Sequence, residues 1–148
     1  MSGASYKSVW IHFIWSTKNR RPLLIENIRL KLYDYIREIC TELNYYLDFI
    51  NGVEDHVHLL MSLHTSDTIA DMAKNIKGKS WKWMRDQYLI DEYFSWQDGY
   101  AVYSVSPSDV QRVRNYIATQ AEHHRFVTLD EELEQLKKNN LKQKKGNS

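Results

Sequence analysis

Residues 56–63 read HVHLLMSL, a run of mostly apolar residues with two histidines that predicts a β-strand. Since side chains alternate along a strand, His56 and His58 project from one face while Val57 and Leu59 point to the other. Two histidines placed in this way can share a metal ion. The plainer interpretation, which the spacing alone favours, is a pair of partly exposed strand residues hydrogen-bonded to their neighbours.

The elements before and after this strand are predicted from the spacing of apolar residues and from turn signals. A strand, a helix and a second strand precede it, whereas a helix, a strand and a further helix follow it. The predicted ranges are 6–16 (strand), 24–43 (helix), 46–50 (strand), 68–88 (helix), 101–105 (strand) and 106 to about 124 (helix). The order β-α-β-β-α-β-α predicts an α+β fold, in which helices pack on a central antiparallel β-sheet with a ferredoxin-like (split βαβ) plan.

Local signals predict the turns and the helix ends. The dipeptide Asn51-Gly52 predicts the turn between the two middle strands. Ser66 or Asp67 is expected to cap the helix that begins near residue 68, and Ser106 is expected to cap the next helix. The Thr128–Glu131 pair predicts a capping box for a short terminal helix.

Length and composition predict one folded domain. The chain has 148 residues, of which 43% are hydrophobic and 13% aromatic, so extensive disorder is excluded. We expect the domain to cover residues 1–136 and the Lys- and Asn-rich residues 137–148 to form a basic C-terminal tail. The single cysteine, Cys40, excludes an internal disulfide framework. Because the apolar runs are too short to span a bilayer and no secretory leader opens the chain, a cytoplasmic protein without a membrane partner is predicted.

Basic residues are clustered, although the net charge is only +1. Local potential rather than net charge governs the approach of a polyanion, so the clusters are candidates for phosphate contacts. Trp81 lies within the basic face of the helix over 68–88, where its ring could stack on an unpaired base. An ordinary solvated cationic face explains that helix equally well. The candidate DNA-binding residues are Lys18, Arg20 and Arg21 in the first loop and Lys74, Lys77, Trp81, Lys82 and Arg85 on the helix.

Residues 73–80 read AKNIKGKS and loosely resemble a nucleotide-binding P-loop. A phosphate cradle needs a glycine-rich loop between a strand and a helix. Here Ala73 stands at the first glycine position, and the helical pattern continues on both sides of the segment. A nucleotide cofactor is therefore not expected.

Tyr116 and Gln120 lie four residues apart, which places them on one face of the last of these helices. An apolar stripe that includes Val113 runs beside them, so Tyr116 is expected at the edge of the buried face. On spacing alone, Tyr116 is more simply a core-edge aromatic residue than a nucleophile. His123 and His124 end the helix, where its dipole favours cations, and structural capping is their default interpretation.

These signals occur in an order that resembles the single-tyrosine HUH transposases of bacterial insertion sequences and their relatives, the REP-associated tyrosine transposases. The matching segments are WSTKNRRP (15–22), DHVHLL (55–60), FSWQDGY (94–100), SVS (104–106) and VRNYIATQAEHHR (113–125). HUH denotes two histidines around a hydrophobic residue, which His56-Val57-His58 matches. The resemblance identifies Tyr116 with the nucleophile of the family and Gln120 with its third metal ligand.

The resemblance implies an enzyme that cleaves and rejoins single-stranded DNA carrying a hairpin. His56, His58 and Gln120 would bind one divalent metal ion, Mg²⁺ or Mn²⁺. Tyr116, on a C-terminal helix, would form a 5′-phosphotyrosine intermediate, although no general base for it is evident in the sequence. The resemblance also implies a homodimer, often with active sites shared between the subunits.

Two alternatives remain open from the sequence. A non-enzymatic single-stranded nucleic-acid-binding module on a ferredoxin-like fold explains the basic helix and the aromatic residues, but it leaves the predicted nucleophile and metal ligands without a role. A domesticated nickase that acts on dispersed host repeats would share the chemistry and differ in its DNA target.

Overall fold

The structure is a computed structural model that describes residues 8–64, 66–87, 93–124 and 127–146. The elements within these ranges are β1 (Trp10–Ser16), α1 (Glu26–Glu42), β2 (Leu47–Val53), β3 (His56–Ser62), α2 (Ile69–Asp86), β4 (Ala101–Val105), α3 (Val110–Ala118), α4 (Gln120–His123) and α5 (Leu129–Gly146). The predictions for residues 6–7, 88 and 125 lie outside the described residues.

The strands form one antiparallel sheet with the order β2-β3-β1-β4. β3 lies between β1 and β2, and β1 lies between β3 and β4. Each helix that follows a central strand therefore leads to a strand that is separated from it by one neighbour, which is the split βαβ arrangement. The predicted α+β, ferredoxin-like fold is confirmed.

α1 and α2 cover one face of the sheet and form the main core with it. Alternate residues of the central strands point into this core, among them Phe13 of β1 and Val57 and Leu59 of β3. Buried apolar residues at helical spacing meet them, for example Leu32 of α1 and Ile76 of α2. Each such side chain contributes about 1.5–3 kcal/mol by leaving water, which is why these two helices form where the spacing predicted them.

The opposite face of the sheet is covered by α3, α4 and the first turn of α5. A smaller apolar cluster holds α3 in place, and its buried members are Leu60 of β3, Val105 of β4 and Ile117 of α3. His56 and His58 lie on this second face, because they alternate with the core residues of β3. The two-residue period of the strand thus separates the main core from the histidine pair.

The turn predicted at Asn51-Gly52 is wrong. Both residues lie within β2, and the turn between β2 and β3 is formed by Glu54-Asp55. Gly52 serves close packing instead, since an added Cβ atom would lie 2.3 Å from the carbonyl oxygen of His56. The Asn51 side chain has its own role, because its amide donates a hydrogen bond to the Ile117 carbonyl oxygen at 2.9 Å.

Two predicted helix caps also differ from the structure. The cap of α2 is Thr68, whose hydroxyl accepts a backbone N–H at 3.0 Å, rather than Ser66 or Asp67. Ser106 makes no capping hydrogen bond, because a short 3-10 turn over Pro107–Asp109 precedes α3. Thr68 is one residue closer than Asp67 to the free amides of the first helical turn, which explains why its hydroxyl caps the helix.

The helix predicted to end near residue 124 is divided, and the end of the chain is more helical than predicted. Thr119, with φ −101° and ψ 20°, separates α3 from α4. One of the two hydrogen bonds of the predicted capping box is present, since the Glu131 amide donates to the Thr128 hydroxyl at 3.2 Å. The Glu131 carboxylate accepts from that hydroxyl, at 3.1 Å. α5 then continues to Gly146, so residues 137–146 are helical where a tail was predicted.

Two further sequence features lie in the helices that form the main core. Cys40 is buried on α1, and the P-loop-like residues 73–80 lie within α2. No helix in the described part of the chain is long and apolar enough to cross a membrane.

Candidate active site

His56 and His58 lie next to each other on one face of β3. Both side chains are completely buried, which differs from the partly exposed pair that the spacing alone favoured. β1 and β2 pair with β3 on its two sides, so the backbone of both histidines is held within the sheet. The centroids of the two imidazole rings are 5.1 Å apart, close enough for both rings to contact one bound ion.

Asp55 orients the ring of His56. The His56 Nδ1 atom donates to the Asp55 carboxylate at 2.7 Å, and the Nε2 atom has no hydrogen-bond partner. Burial alone would lower the pKa of His56, but the carboxylates of Asp55 and Glu132 outweigh burial and raise it to about 9. His56 therefore carries a positive charge at neutral pH in the metal-free protein.

His12 of β1 orients the ring of His58. The Nε2 atom of His12 and the Nδ1 atom of His58 are 2.8 Å apart, and the rings stack with centroids 5.0 Å apart. Burial lowers the pKa of His58 to about 4 and that of His12 to about 3. Both rings are therefore neutral, and one of the two facing nitrogens donates to the other. The Nε2 atom of His58, like that of His56, has no hydrogen-bond partner.

α3 and α4 bring Tyr116 and Gln120 to the two histidines. Gln120 is completely buried; its Nε2 atom donates to Oε2 of Glu132 at 3.1 Å, whereas its Oε1 atom has no hydrogen-bond partner. The Tyr116 hydroxyl donates to the same Oε2 atom, and the Tyr116 ring lies 6.1 Å from the His58 ring. Burial, together with the hydrogen bond to Glu132, raises the pKa of Tyr116, so its phenol is protonated at neutral pH.

Glu132 of α5 lies at the centre of this cluster, with a side chain that is only 1% exposed. Its Oε1 atom is 3.4 Å from Nε2 of His56, 3.4 Å from Nε2 of His58 and 2.8 Å from Nε2 of His124. His123 is more distant, at 3.9 Å from Oε2. Burial would raise the pKa of Glu132, but the contacts with His124, His56 and His58 hold it well below its usual range.

Sequence reasoning did not find all of these residues. It interpreted His124 as a helix cap and gave no role to His12, Asp55 or Glu132. Two adjacent histidines were the only local signal for His124, and Glu132 stands in the acidic run EELE (131–134), in which no spacing distinguishes one glutamate from the next. These four residues come from β1, the β2–β3 turn, the residue that follows α4, and α5, so only the packing of those elements brings them together.

The cluster fits a divalent metal ion. Among the described residues, the buried polar side-chain atoms without a hydrogen-bond partner include Nε2 of His56, Nε2 of His58 and Oε1 of Gln120. These atoms belong to the three predicted ligands, and a buried polar atom without a partner is unfavourable, whereas a bound metal ion that takes the place of the His56 proton would give all three a partner. The ligand atoms of His56, His58, His124 and Glu132 also lie within 4.8 Å of one another. Imidazole nitrogens combined with amide and carboxylate oxygens are typical ligands of divalent metal ions.

The first loop is the group of predicted DNA contacts that lies next to this cluster. Arg20, Asp55 and His124 are among the residues that line a cavity of about 580 Å³ beside it. Arg20 forms an ion pair with Asp130 of α5 at 2.6 Å. The other two predicted residues of this loop, Lys18 and Arg21, are exposed.

The predicted DNA contacts on α2 lie on the other side of the sheet. The Lys77 ammonium donates to the carbonyl oxygens of residues 97 and 99, at 2.8 and 2.6 Å. The Trp81 indole donates to the Phe94 carbonyl oxygen at 3.0 Å, and the Arg85 guanidinium lies 4.7 Å from the centroid of the Trp81 ring. Lys77 and Trp81 thus hold the segment over 93–100 against α2. Of the predicted DNA contacts on α2, Lys74, Lys82 and Arg85 are exposed.

Comparisons with known proteins agree on one class. The family model described as "Transposase IS200 like" matches residues 5–120, so the match ends before His124 and Glu132. A curated relative, the ISDra2 transposase TnpA of Deinococcus radiodurans, is 29% identical over 114 residues, which cover 74% of this chain and 81% of that protein.

Two solved structures are similar to this fold. The crystal structure of a Deinococcus radiodurans R1 protein assigned as a transposase has a TM-score of 0.63 and 28% identity, covering 81% of this chain and 97% of that chain. A REP-associated tyrosine transposase bound to a REP hairpin has a TM-score of 0.61 and covers 86% of this chain and 76% of that chain. Because the latter is only 17% identical, its likeness shows the fold alone.

Proposed function

The chain belongs to the family of IS200-like transposases, and on that premise we propose that it cleaves and rejoins single-stranded DNA through Tyr116. One observation carries the proposal: the Tyr116 hydroxyl and the side chains of His56, His58 and Gln120 all meet the carboxylate of Glu132. Nucleophile, cation site and proton acceptor are thus adjacent, and these are the parts that a metal-assisted transesterification needs.

His56, His58 and Gln120 are the proposed ligands of one divalent ion, Mg²⁺ or Mn²⁺. When bound, the ion supplies positive charge that polarises the scissile phosphate and neutralises the charge developing on it. Asp55 and His12 orient the two imidazoles through their Nδ1 atoms, which leaves both Nε2 atoms available. The three side-chain atoms without hydrogen-bond partners support this ligand set.

Tyr116 is the proposed nucleophile, and Glu132 is its proposed proton acceptor. The hydroxyl proton passes to Oε2 of Glu132, which already accepts its hydrogen bond, in the same step as the attack on phosphorus, because the low pKa of Glu132 makes transfer before the attack unfavourable. A bond forms between the phenolic oxygen and phosphorus while the bond from phosphorus to the 3′-oxygen breaks. The departing 3′-oxygen takes up a proton from water, and Glu132 releases the proton it received to water. The products are a 5′-phosphotyrosine and a free 3′-hydroxyl. Because one phosphodiester replaces another, the reverse step rejoins the DNA without a nucleotide cofactor.

The proposed substrate is single-stranded DNA that contains a hairpin. The REP-associated relative with the same fold was solved with a REP hairpin, which supports this substrate class. Lys18, Arg20 and Arg21 are proposed to bind phosphates near the scissile bond, because their loop lies beside the cluster. The exposed cations of α2 are proposed to contact more distant phosphates of the same DNA.

A homodimer in the bacterial cytoplasm is the proposed working form of the protein. β2 and β4 are edge strands of the sheet, and an open edge can pair with a second copy of the chain. Tyr116 contacts Glu132 and lies near His58 of its own chain. This geometry supports a site that assembles within one subunit.

The test of this function is the formation of a covalent protein–DNA adduct. Purified protein is incubated with single-stranded hairpin DNA from the regions flanking its gene, with Mn²⁺ or Mg²⁺, and SDS-resistant adducts are separated on a gel. We expect an adduct with the wild-type protein and none with Tyr116→Phe, with His58→Ala or after addition of EDTA. Tyr103→Phe is the matched control, because Tyr103 lies on the same face of the sheet as His12, and this variant should retain the adduct. DNA binding without an adduct in every sample would support the non-enzymatic module instead.

A further inference from the structure

We infer that the chain beyond residue 120 completes the metal centre: His124, which follows α4, and Glu132 of α5 bind the ion alongside His56, His58 and Gln120, and thereby select a transition-metal ion over Mg²⁺. This inference rests on the metal site of the proposed function. It extends that site beyond residue 120, where the family match ends. The C-terminal part of this chain then contributes two of the ligands.

The distances around Glu132 are those of ligands that share an ion. Its Oε1 atom lies 3.4 Å from Nε2 of His56 and 3.4 Å from Nε2 of His58, and neither nitrogen makes a hydrogen bond. Hydrogen bonds between nitrogen and oxygen span about 2.7–3.2 Å, so both contacts are too long. Two ligands that are each about 2.1 Å from one ion are separated by roughly 3.0–3.4 Å at angles between 90° and 109°.

His124 presents a second donor to the same place. Its Nδ1 atom must donate to the Val127 carbonyl oxygen, 2.7 Å away, because a carbonyl oxygen only accepts. The other ring nitrogen, Nε2, is 2.8 Å from Oε1 of Glu132. This nitrogen either carries a proton that it donates to Oε1 or, once deprotonated, presents a lone pair at the place where Oε1 approaches the Nε2 atoms of His56 and His58. A metal ion bound by His56, His58, His124 and Glu132 satisfies all four side chains together.

The packing of α5 supports a role for Glu132 beyond structure. Of its side chains up to residue 139, only Leu129 and Glu132 are buried. Glu132 thus supplies one of the two buried side chains by which this part of α5 contacts the rest of the protein. A cavity lies on each side of α5: His124 and Leu129 are among the residues that line one, and Tyr116 and Leu136 are among those that line the other. Metal binding through Glu132 would therefore fix α5 to the sheet.

The composition of this ligand set determines which ion is preferred. Three imidazole nitrogens with one carboxylate suit Mn²⁺ and later transition metals, whereas Mg²⁺ prefers oxygen ligands and retains its waters. Without His124 and Glu132, the remaining set of His56, His58 and Gln120 would discriminate less between these ions. These two residues therefore set both the affinity and the selectivity of the centre.

The test measures metal binding by the full-length protein without DNA. Mn²⁺ and Mg²⁺ titrations are followed by calorimetry, and pulsed EPR of bound Mn²⁺ counts the coupled imidazole nitrogens. We expect Mn²⁺ to bind at least tenfold more tightly than Mg²⁺, with three coupled imidazoles. Glu132→Gln and His124→Ala should each weaken Mn²⁺ binding by about 10–100-fold, and His124→Ala should leave two coupled imidazoles. The matched controls are Glu134→Gln and His64→Ala, which alter exposed or distant residues of the same types and should stay within about twofold of wild type.

The outcomes separate this inference from the proposed function. If Glu132→Gln binds Mn²⁺ as tightly as wild type or more tightly, while His58→Ala abolishes binding, the role of α5 is refuted and the metal site of the proposed function stands. If His58→Ala leaves Mn²⁺ binding unchanged, the metal site itself is refuted. Limited proteolysis gives a second readout, because Mn²⁺ should protect residues 129–146 in the wild-type protein but not in Glu132→Gln. Equal cleavage with and without Mn²⁺ would contradict the inference.

Discussion

Replacement of Gly52 by alanine tests the contact between β2 and β3 on which the position of His56 depends. The new Cβ atom would lie 2.3 Å from the carbonyl oxygen of His56 and 3.0 Å from Cα of Val57. Both atoms are backbone, so no side chain can move aside and the two strands must separate by about 1 Å. Overpacking of this kind costs about 1–3 kcal/mol, and each weakened ladder hydrogen bond adds about 1 kcal/mol. We therefore expect Gly52→Ala to lower the free energy of unfolding by about 2–4 kcal/mol.

Gly78→Ala is the matched control for this experiment. A Cβ atom at Gly78, on the exposed side of α2, would meet no heavy atom within 4 Å. The same substitution should there raise the free energy of unfolding by about 0.5–1 kcal/mol, because alanine has the higher helix propensity.

Urea denaturation measures both effects. With a typical m-value of about 1–3 kcal/mol/M, the urea midpoint should fall by roughly 1–3 M for Gly52→Ala and rise slightly for Gly78→Ala. The Mn²⁺ affinity should also fall for Gly52→Ala, because the displaced carbonyl group belongs to His56. An unchanged or higher midpoint for Gly52→Ala would refute the close approach of the two strands. A loss of stability together with unchanged Mn²⁺ affinity would refute the link from that contact to the site.

Two further predictions concern charge. In EDTA, the free energy of unfolding should fall as the pH drops below about 6.5: His12 and His58 have folded pKa values of about 3 and 4, so the unfolded state binds more protons there. By pH 5, His12 and His58 should each lower the free energy of unfolding by about 2 kcal/mol. His56 offsets a smaller part of this loss, because its raised pKa of about 9 means that it binds its proton more tightly in the folded state. The net decrease in the free energy of unfolding between pH 7.5 and pH 5 should therefore be about 2–3 kcal/mol. Denaturation midpoints across this range check the sign, and a constant midpoint would contradict the neutral His12–His58 pair. For DNA binding, Lys74→Ala and Lys82→Ala should each weaken the affinity for hairpin DNA and reduce the slope of log K against log salt by about 1. Fluorescence anisotropy at several salt concentrations measures that slope, and an unchanged slope would exclude this face of α2 from the DNA site.

Much of the fold and half of the site were predictable, because they depend on regularities within single elements. The alternation in β3 places His56 and His58 on one face. The four-residue spacing predicted Tyr116 and Gln120 about one helical turn apart, although the break at Thr119 assigns them to α3 and α4. The order of strands and helices predicted the ferredoxin-like sheet, which the pairing of β1 with β3 and β4 confirms. In each case the relevant residues are neighbours in sequence, so their relative directions follow from the geometry of a strand or helix.

Local patterns therefore established the class of fold and the pairs of nearby residues that share a face. Tertiary packing decided that Glu132 lies between the two pairs, that His12 and Asp55 orient the histidines, and that Gly52 packs within a strand rather than turning the chain. It also decided that Lys77 and Trp81 hold a neighbouring segment. The physical reason is that such contacts join residues far apart in sequence, and a glutamate in an acidic run has no local pattern that depends on which partner will bury it.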